Sequence, residues 1–366
     1  MTPLFSPRTL GGVSLKNGLA VAPMTTTQSH ADGSVSEAET RWLERLADDD
    51  YGMVITCAAA IGRTSIAFPQ QLSFGDDALV PGLAALAQRV SRPGMALVAQ
   101  LCHGGSRAIP ALTGQPAASA SRFELPLPGF VPPVELTVRQ IEAIIDDFAS
   151  AAVRAARAGF QGVEFHGANG YLFTQFASTV TNTRRDGWGG PLAHRARFAR
   201  EVVRATRARV PRPFIVGMRW TFESPFDAGL DLDEGVEVMN WLAEDGIDYG
   251  HVSQLDLGAP GARSPTEPAL SRIRRGVTNA LPLMAAGGVV SSADLDRAVA
   301  LGAEFVAIGR SAIGNAQVPR KLAKGEALVR TPYRREALSP LLAVSDDFLR
   351  YLTTAPPLAS LHIVGD

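Results

Sequence analysis

Leu283-Met-Ala-Ala-Gly287-Gly288-Val-Val-Ser-Ser292-Ala-Asp-Leu-Asp-Arg-Ala-Val-Ala-Leu301-Gly-Ala-Glu-Phe305-Val-Ala-Ile-Gly309-Arg310 reads as one strand–helix–strand unit. Two short apolar runs flank a stretch with helical period, Ser292 is placed as an N-cap, and Gly302 is placed to end the helix. Working outward, apolar runs of the same kind recur at 19–25, 53–58, 96–103, 162–166, 214–219, 249–254, 283–288 and 305–310. Between them lie amphipathic segments such as 36–49, 138–157, 194–209, 233–245 and 293–301, with Ser36, Thr137 and Asp231 as further N-caps. Near-continuous apolar strands alternating with helices imply a parallel sheet covered on its outer face, and eight such units is the number that closes a barrel. The expected fold class is therefore α/β, a (β/α)8 TIM barrel, with an open doubly wound sheet as the structural competitor.

The chain has 366 residues, a length that barrels of this type reach as one domain, and no repeat, low-complexity tract or linker divides it. One domain over residues 1–366 is expected, with long rim loops at 104–136 and 167–191, both following strands. The segment after Thr331 has no evident place. Apolar residues make up 46% and charged residues 19%, a balance that suits a large core and argues against disorder. With a net charge of -1, no overall field favours nucleic acid or anionic lipid, so small-molecule partners are expected. No basic, apolar leader and no run of about 20 apolar residues is present, which points to a cytoplasmic protein. Cys57 and Cys102 are the only cysteines, too few for a disulfide framework or a four-cysteine cluster.

Barrel chemistry is built at the C-terminal strand ends. Here those positions are Thr25, Cys57, Ala58, Gln100, His103, His166, Arg219, Ser253, Gln254, Gly287, Gly288, Gly309 and Arg310. The set is polar but nearly free of carboxylates, which disfavours a divalent metal site and a two-carboxyl glycosidase. A zinc site from Cys57, Cys102, His103 and His166 lacks close pair spacing, so no metal is expected. Glu164 shares a face with His166 and is read as an interior ion pair with Arg219, with catalysis as the alternative. The glycines at 287, 288 and 309, each just before a helix start, suit a phosphate, although glycines also serve tight turns. No Gly-x-Gly-x-x-Gly, Walker loop or nucleophile elbow occurs, and none of Lys16, Lys321 and Lys324 ends a strand, which disfavours Schiff-base chemistry.

After the fourth strand come His166-Gly-Ala-Asn169-Gly-Tyr171-Leu-Phe-Thr-Gln175-Phe176 and Asn182-Thr-Arg184-Arg185-Asp186-Gly-Trp188-Gly-Gly190. With Ala22-Pro23-Met24-Thr25, Gln100-Leu-Cys-His103 and Gly309-Arg310, the chain resembles the Old Yellow Enzyme family of FMN-dependent ene-reductases. The matches run in order from about residue 4 to residue 322 and fall at six of the eight strand ends. The resemblance implies bound FMN and NAD(P)H as hydride donor. It implies His166 and Asn169 at the substrate carbonyl and Tyr171 as proton donor. It places Ala22, Pro23, Met24, Thr25 and Ala58 along the flavin, Gln100 and Arg219 on its pyrimidine edge, and Gly287, Gly288, Gly309 and Arg310 at the phosphate end.

Those residue types suit the chemistry. Hydride addition to the β-carbon of an enone drives negative charge onto the carbonyl oxygen, where two donors stabilise the transition state. A tyrosine with an ordinary pKa near 10 stays protonated at neutral pH and can protonate the α-carbon, whereas the plain alternative is an aromatic packing in a loop. His103 is either a hydrogen bonder behind these groups or a rim residue. The chain departs from the family at Phe176-Ala-Ser-Thr179, where Phe-Leu-Ser-Pro is common, and at Trp188, where Tyr is common. These changes bear on substrate shape. Thr25 stands where one subgroup has a redox-tuning Cys, and with two cysteines and an end at Asp366 the cluster and added domains of larger relatives are not expected.

An ene-reductase acting on enones, nitroalkenes or quinones is the leading expectation. An NAD(P)H oxidase or quinone reductase is the second, and a non-catalytic flavin-binding protein the third, although a pure binder needs none of His166, Asn169 and Tyr171. The sequence does not choose between NADH and NADPH or give an oligomeric state.

Overall fold

The computed structural model describes residues 2–126, 129–223, 229–262, 266–338, 342–354 and 363–364. Eight strands pair in parallel: β1 Leu19–Val21, β2 Met53–Ile55, β3 Ala96–Cys102, β4 Gly162–Gly167, β5 Ile215–Trp220, β6 Tyr249–Ser253, β7 Leu283–Ala286 and β8 Phe305–Ile308. Each pairs with the next, and β8 returns to pair with β1, Val306 opposite Leu19. The sheet is therefore a closed barrel, and the open doubly wound alternative falls because it would leave two unpaired edges.

The outer helices are α1 Glu37–Asp48, α2 Val80–Val90, α3 Val138–Arg157, α4 Arg197–Arg207, α5 Leu232–Asp245, α6 Ala269–Gly276 and α7 Ser292–Ala300. Ser36, Thr137 and Asp231 cap α1, α3 and α5, each side chain accepting from a backbone N–H three residues on. At α7 the cap is Ser291 rather than Ser292, because Ser291 and Asp294 form a reciprocal capping box. The expected helix over 194–209 is broken at Ala196 into Leu192–Arg195 and α4.

Several strands are shorter than their apolar runs. Ala22 still donates to Ile308, but Pro23 has no N–H to continue the ladder, so β1 ends at Val21. Likewise β8 ends at Ile308, and Arg310 opens a short helix, α8 Arg310–Gly314, instead of closing a strand.

Inside the lower barrel, Ala20, Met53, Val98, Ile215, Met284 and Phe305 form one apolar cluster. The hairpin of Arg8–Leu10 and Val13–Leu15 closes that end, adding Leu10 and Leu15 to the same cluster. A larger core lies between strands and helices. The loops 104–136 and 167–191 leave β3 and β4 at the opposite, C-terminal end. There one described helix of the chain after Thr331 is placed as well. Following α9 Val318–Ala323, α10 Asp346–Thr354 sets Phe348 edge-on to Trp42 of α1, with centroids 5.2 Å apart. Gln70 donates to Asp347 at 3.4 Å. Among the described residues, no helix is long and apolar enough to cross a membrane.

Candidate active site

Parallel register sets two layers of polar side chains inside the upper barrel. In the deeper layer Gln100, Glu164, Gly217 and Tyr249 are successive partners across β3 to β6. In the layer above, His166, Arg219 and His251 are partners across β4 to β6. Glu164 is fully buried and accepts from Gln100 Nε2 at 2.7 Å, Tyr249 Oη at 2.9 Å and His251 Nδ1 at 2.8 Å. This corrects the expected Glu164–Arg219 pair. Arg219 makes no direct ion pair with Glu164, and its Nη2 donates instead to Ser253 Oγ at 2.9 Å. His251, carried by the neighbouring strand with the ring nitrogen already turned toward Glu164, occupies the oxygen that Arg219 would need.

Burial pushes the Glu164 carboxyl up, but His251, Arg219 and the Tyr249 hydroxyl outweigh it and hold the group below the usual carboxylate value. A buried carboxylate with three donors and a cation nearby is thus satisfied without a metal. Beside it Arg219 Nε and His251 Nε2, and past the end of β6 Gln254 Oε1, are buried with no protein partner.

The His166 ring lies 4.8 Å from that of Tyr171, at 58°. Burial, followed by the charges of Arg219 and Arg107, holds His166 well below its ordinary value, so the imidazole is neutral at pH 7 and keeps one N–H to donate. Its Nδ1 is buried and unpartnered. Burial also pushes the Tyr171 phenol up to about 12, so it is protonated at neutral pH. Tyr171 shares a small apolar cluster with Ala58, Phe68 and Cys102. Asn169 stands between these two on the loop, exposed and left-handed at φ 59°, with its N–H on Thr221 Oγ1 at 3.2 Å and its carbonyl on Arg107 Nη1 at 2.6 Å.

His103 is not on the rim. It is 3% exposed, its Nδ1 accepts from the Gly105 N–H at 3.0 Å, and burial lowers it to about 4. It therefore ties down the start of loop 104–136 behind Tyr171. Gln175 does the same from the other side, accepting from Ser106 N at 3.0 Å and Ser119 Oγ at 2.8 Å while donating to Gly170 O at 2.7 Å. The second motif serves the loops too. Asn182 Nδ2 donates to Phe176 O at 2.7 Å and Trp188 O at 2.8 Å, and Arg184 bonds Ala120 O, Leu136 O and Asp186. Buried and fully bonded, these side chains hold the rim together.

On the far side of the mouth, a cleft of about 340 Å3 is lined by Leu255, Gly287, Gly288, Arg297, Arg310 and Arg330, among others. Gly287 has no room for a side chain, since a Cβ there would lie 2.6 Å from Leu257 N, and Gly288 is left-handed at φ 69°. Ala22, Met24 and Gly309 are neighbours, a Cβ at Gly309 falling 3.6 Å from Ala22 and 3.7 Å from Met24 Sδ. Pro23 is buried and Thr25 half-buried beside them, while Ala58 offers its carbonyl to Gln71 Nε2 at 2.8 Å. Sequence reading passed over Arg107, Arg297, Arg330, Tyr249 and His251. The strand alternation could have supplied the last two, because both share a face with Ser253. Nothing local marks Arg107.

These residues fit FMN. Two orphaned polar atoms in the upper layer of the barrel, Arg219 Nε and His251 Nε2, suit a heteroaromatic edge with donors and acceptors, and a glycine-lined, arginine-bearing cleft at the ends of β7 and β8 suits a phosphate.

Comparison with known proteins agrees. A profile of the NADH:flavin oxidoreductase / NADH oxidase family matches residues 3–328. The chain is 37% identical over 317 residues to "Probable NADH-dependent flavin oxidoreductase YqiG" of Bacillus subtilis (strain 168), spanning 84% of each protein. An Old Yellow Enzyme homologue from Zymomonas mobilis superposes with a TM-score of 0.79 at 25% identity, over 92% of this chain and 96% of that one. Morphinone reductase does so with a TM-score of 0.79 at 26% identity, over 92% of both. The chain belongs to the NADH:flavin oxidoreductase / NADH oxidase family, that of the Old Yellow Enzyme homologues, and is an FMN oxidoreductase using NAD(P)H as hydride donor.

Proposed function

We propose that this protein is an ene-reductase, adding hydride to the β-carbon and a proton to the α-carbon of enones and nitroalkenes. The observation that carries the reading is the contact of a neutral His166 with a protonated Tyr171 at the barrel mouth, His166 lying in the same layer as Arg219. Bound FMN would supply the redox chemistry, carrying hydride between NAD(P)H and the alkene. His166 and Asn169 donate hydrogen bonds to the carbonyl or nitro oxygen, where negative charge develops. Tyr171 Oη gives its proton to the α-carbon and is reprotonated from solvent. Gln100 and Arg219 would hold the pyrimidine edge, Ala22, Pro23, Met24, Thr25 and Ala58 would line the ring, and Gly287, Gly288, Gly309 and Arg310 would hold the phosphate.

We read the chain as one FMN-binding unit over residues 1–366 that works in the cytoplasm. The test is turnover of the pure yellow protein with NADH and NADPH against cyclohexenone, a nitroalkene, a quinone and oxygen. Saturated products from the first two are expected. Reduction confined to quinone and oxygen would make it an oxidase or quinone reductase instead.

A further inference from the structure

The Glu164, Tyr249 and His251 cluster has no part in the chemistry described above, yet Glu164 and Tyr249 share a layer with Gln100 and His251 shares one with Arg219, the two residues assigned to the flavin's pyrimidine edge. Its geometry is specific. An ionised carboxylate can only accept, so Gln100 must present its NH2 group to Glu164 Oε1, at 2.7 Å. The amide oxygen of Gln100 is thereby turned away from Glu164 and left as an acceptor. Tyr249 reaches Glu164 across β5 only because Gly217 intervenes in the register, since a Cβ at 217 would collide with the Tyr249 ring. The site accordingly has a fixed negative charge on the buried Glu164 and a fixed positive charge on the half-buried Arg219, one layer apart.

We propose that Glu164 is a positioning residue that sets the reduction potential of the flavin: it locks Gln100 with its amide oxygen outward and offsets the charge of Arg219. The inference rests on the reading that Gln100 and Arg219 face the pyrimidine edge. An ordinary N3–H at that edge is a donor and would be met by the Gln100 oxygen. The reduced ring carries negative charge that Arg219 stabilises and Glu164 opposes. The carboxylate thus keeps the potential lower than Arg219 alone would make it, and Tyr249 moderates it by donating one hydrogen bond.

Midpoint potentials of the FMN-loaded protein, titrated against a reference dye, give each variant a signed expectation. Glu164→Gln removes the negative charge and should shift the potential up. Glu164→Asp keeps the charge and should shift it less than half as far. Tyr249→Phe leaves the carboxylate less compensated and should shift it down. An unchanged or lowered potential in E164Q with full FMN content, or an equal shift in E164D, overturns the proposal. Should E164Q fail to fold, Y249F decides: a downward shift supports the proposal and no shift overturns it. Arg219→Gln and Gln100→Ala separate the two levels. If neither changes the potential or the flavin absorption band, the pyrimidine-edge assignment itself is wrong. If they do and the Glu164 variants do not, only the present inference fails.

Discussion

The guanidinium carbon of Arg107 lies 4.6 Å from the centroid of the Tyr171 ring, and the same side chain holds Asn169 O at 2.6 Å. One rim arginine thus clamps two of the three residues proposed to do the chemistry. Its charge opposes the burial that raises the Tyr171 phenol. Arg107→Ala should make Tyr171 a weaker acid and loosen the loop. Alkene-dependent flavin reoxidation should slow by about 2- to 6-fold, the equivalent of one cation–π contact, with flavin reduction by NAD(P)H less affected. Rapid-mixing absorbance of the two half-reactions measures both, and an unaltered alkene half would show the clamp to be dispensable.

Tyr171→Phe is the sharper change, since it deletes one hydroxyl and keeps the ring among Ala58, Phe68 and Cys102. Reduction of FMN by NAD(P)H needs no proton from this group and should keep its rate. Reoxidation by cyclohexenone should slow by about 10²- to 10⁴-fold, the usual value of a lost general acid. Quinone reduction should continue. Equal slowing of both halves would instead indicate a damaged site.

Arg310 opens α8 at the lip of the glycine-lined cleft, where its side chain donates from Nη2 to Leu255 O at 3.3 Å. Arg310→Ala should weaken FMN retention by roughly 10- to 100-fold, the loss of one or two charge-assisted hydrogen bonds. Fluorescence titration of the apoprotein with FMN reads this directly. Retention equal to the parent protein would move the phosphate elsewhere.

Glu39 is fully buried on α1, with Oε2 bonded to Thr26 Oγ1 at 2.7 Å and Oε1 unpartnered. Burial raises its pKa above the ordinary 4.5, so the folded protein holds this proton to higher pH than the unfolded chain does. Its contribution to stability is complete below the ordinary value and is lost as pH rises through the folded value. Glu39→Gln does not titrate. Its Tm should therefore gain on the parent's as pH rises from about 5 to 8, and parallel Tm curves would show that Glu39 folds ionised.

Much of this was legible in the chain itself. Strand and helix periods, caps such as Ser36 and Thr137, and the glycines after β7 follow from interactions within a few residues, so local sequence specifies them. Eight alternating units imply barrel closure by count, because only a closed parallel sheet leaves no edge. Boundaries were less accurate where a local rule intervened, as with Pro23 ending β1 and Asp294 drawing the α7 cap to Ser291.

What the sequence determined alone, then, is the set of residues at each strand end and the face each occupies, since period two fixes both. Which of them meet was decided by the tertiary structure. Glu164 and His251 are 87 residues apart, and their bond depends on the register of β4, β5 and β6, while the bond from Tyr249 to Glu164 also needs the absence of a side chain at Gly217. The Arg107–Tyr171 stack and the docking of α10 against Trp42 depend on how rim loops and the chain's far end fold back over the barrel. Partners so distant in sequence leave no periodic trace. They are chosen by packing and by the cost of leaving a buried charge or donor unpaired, and both exist only once the barrel has closed.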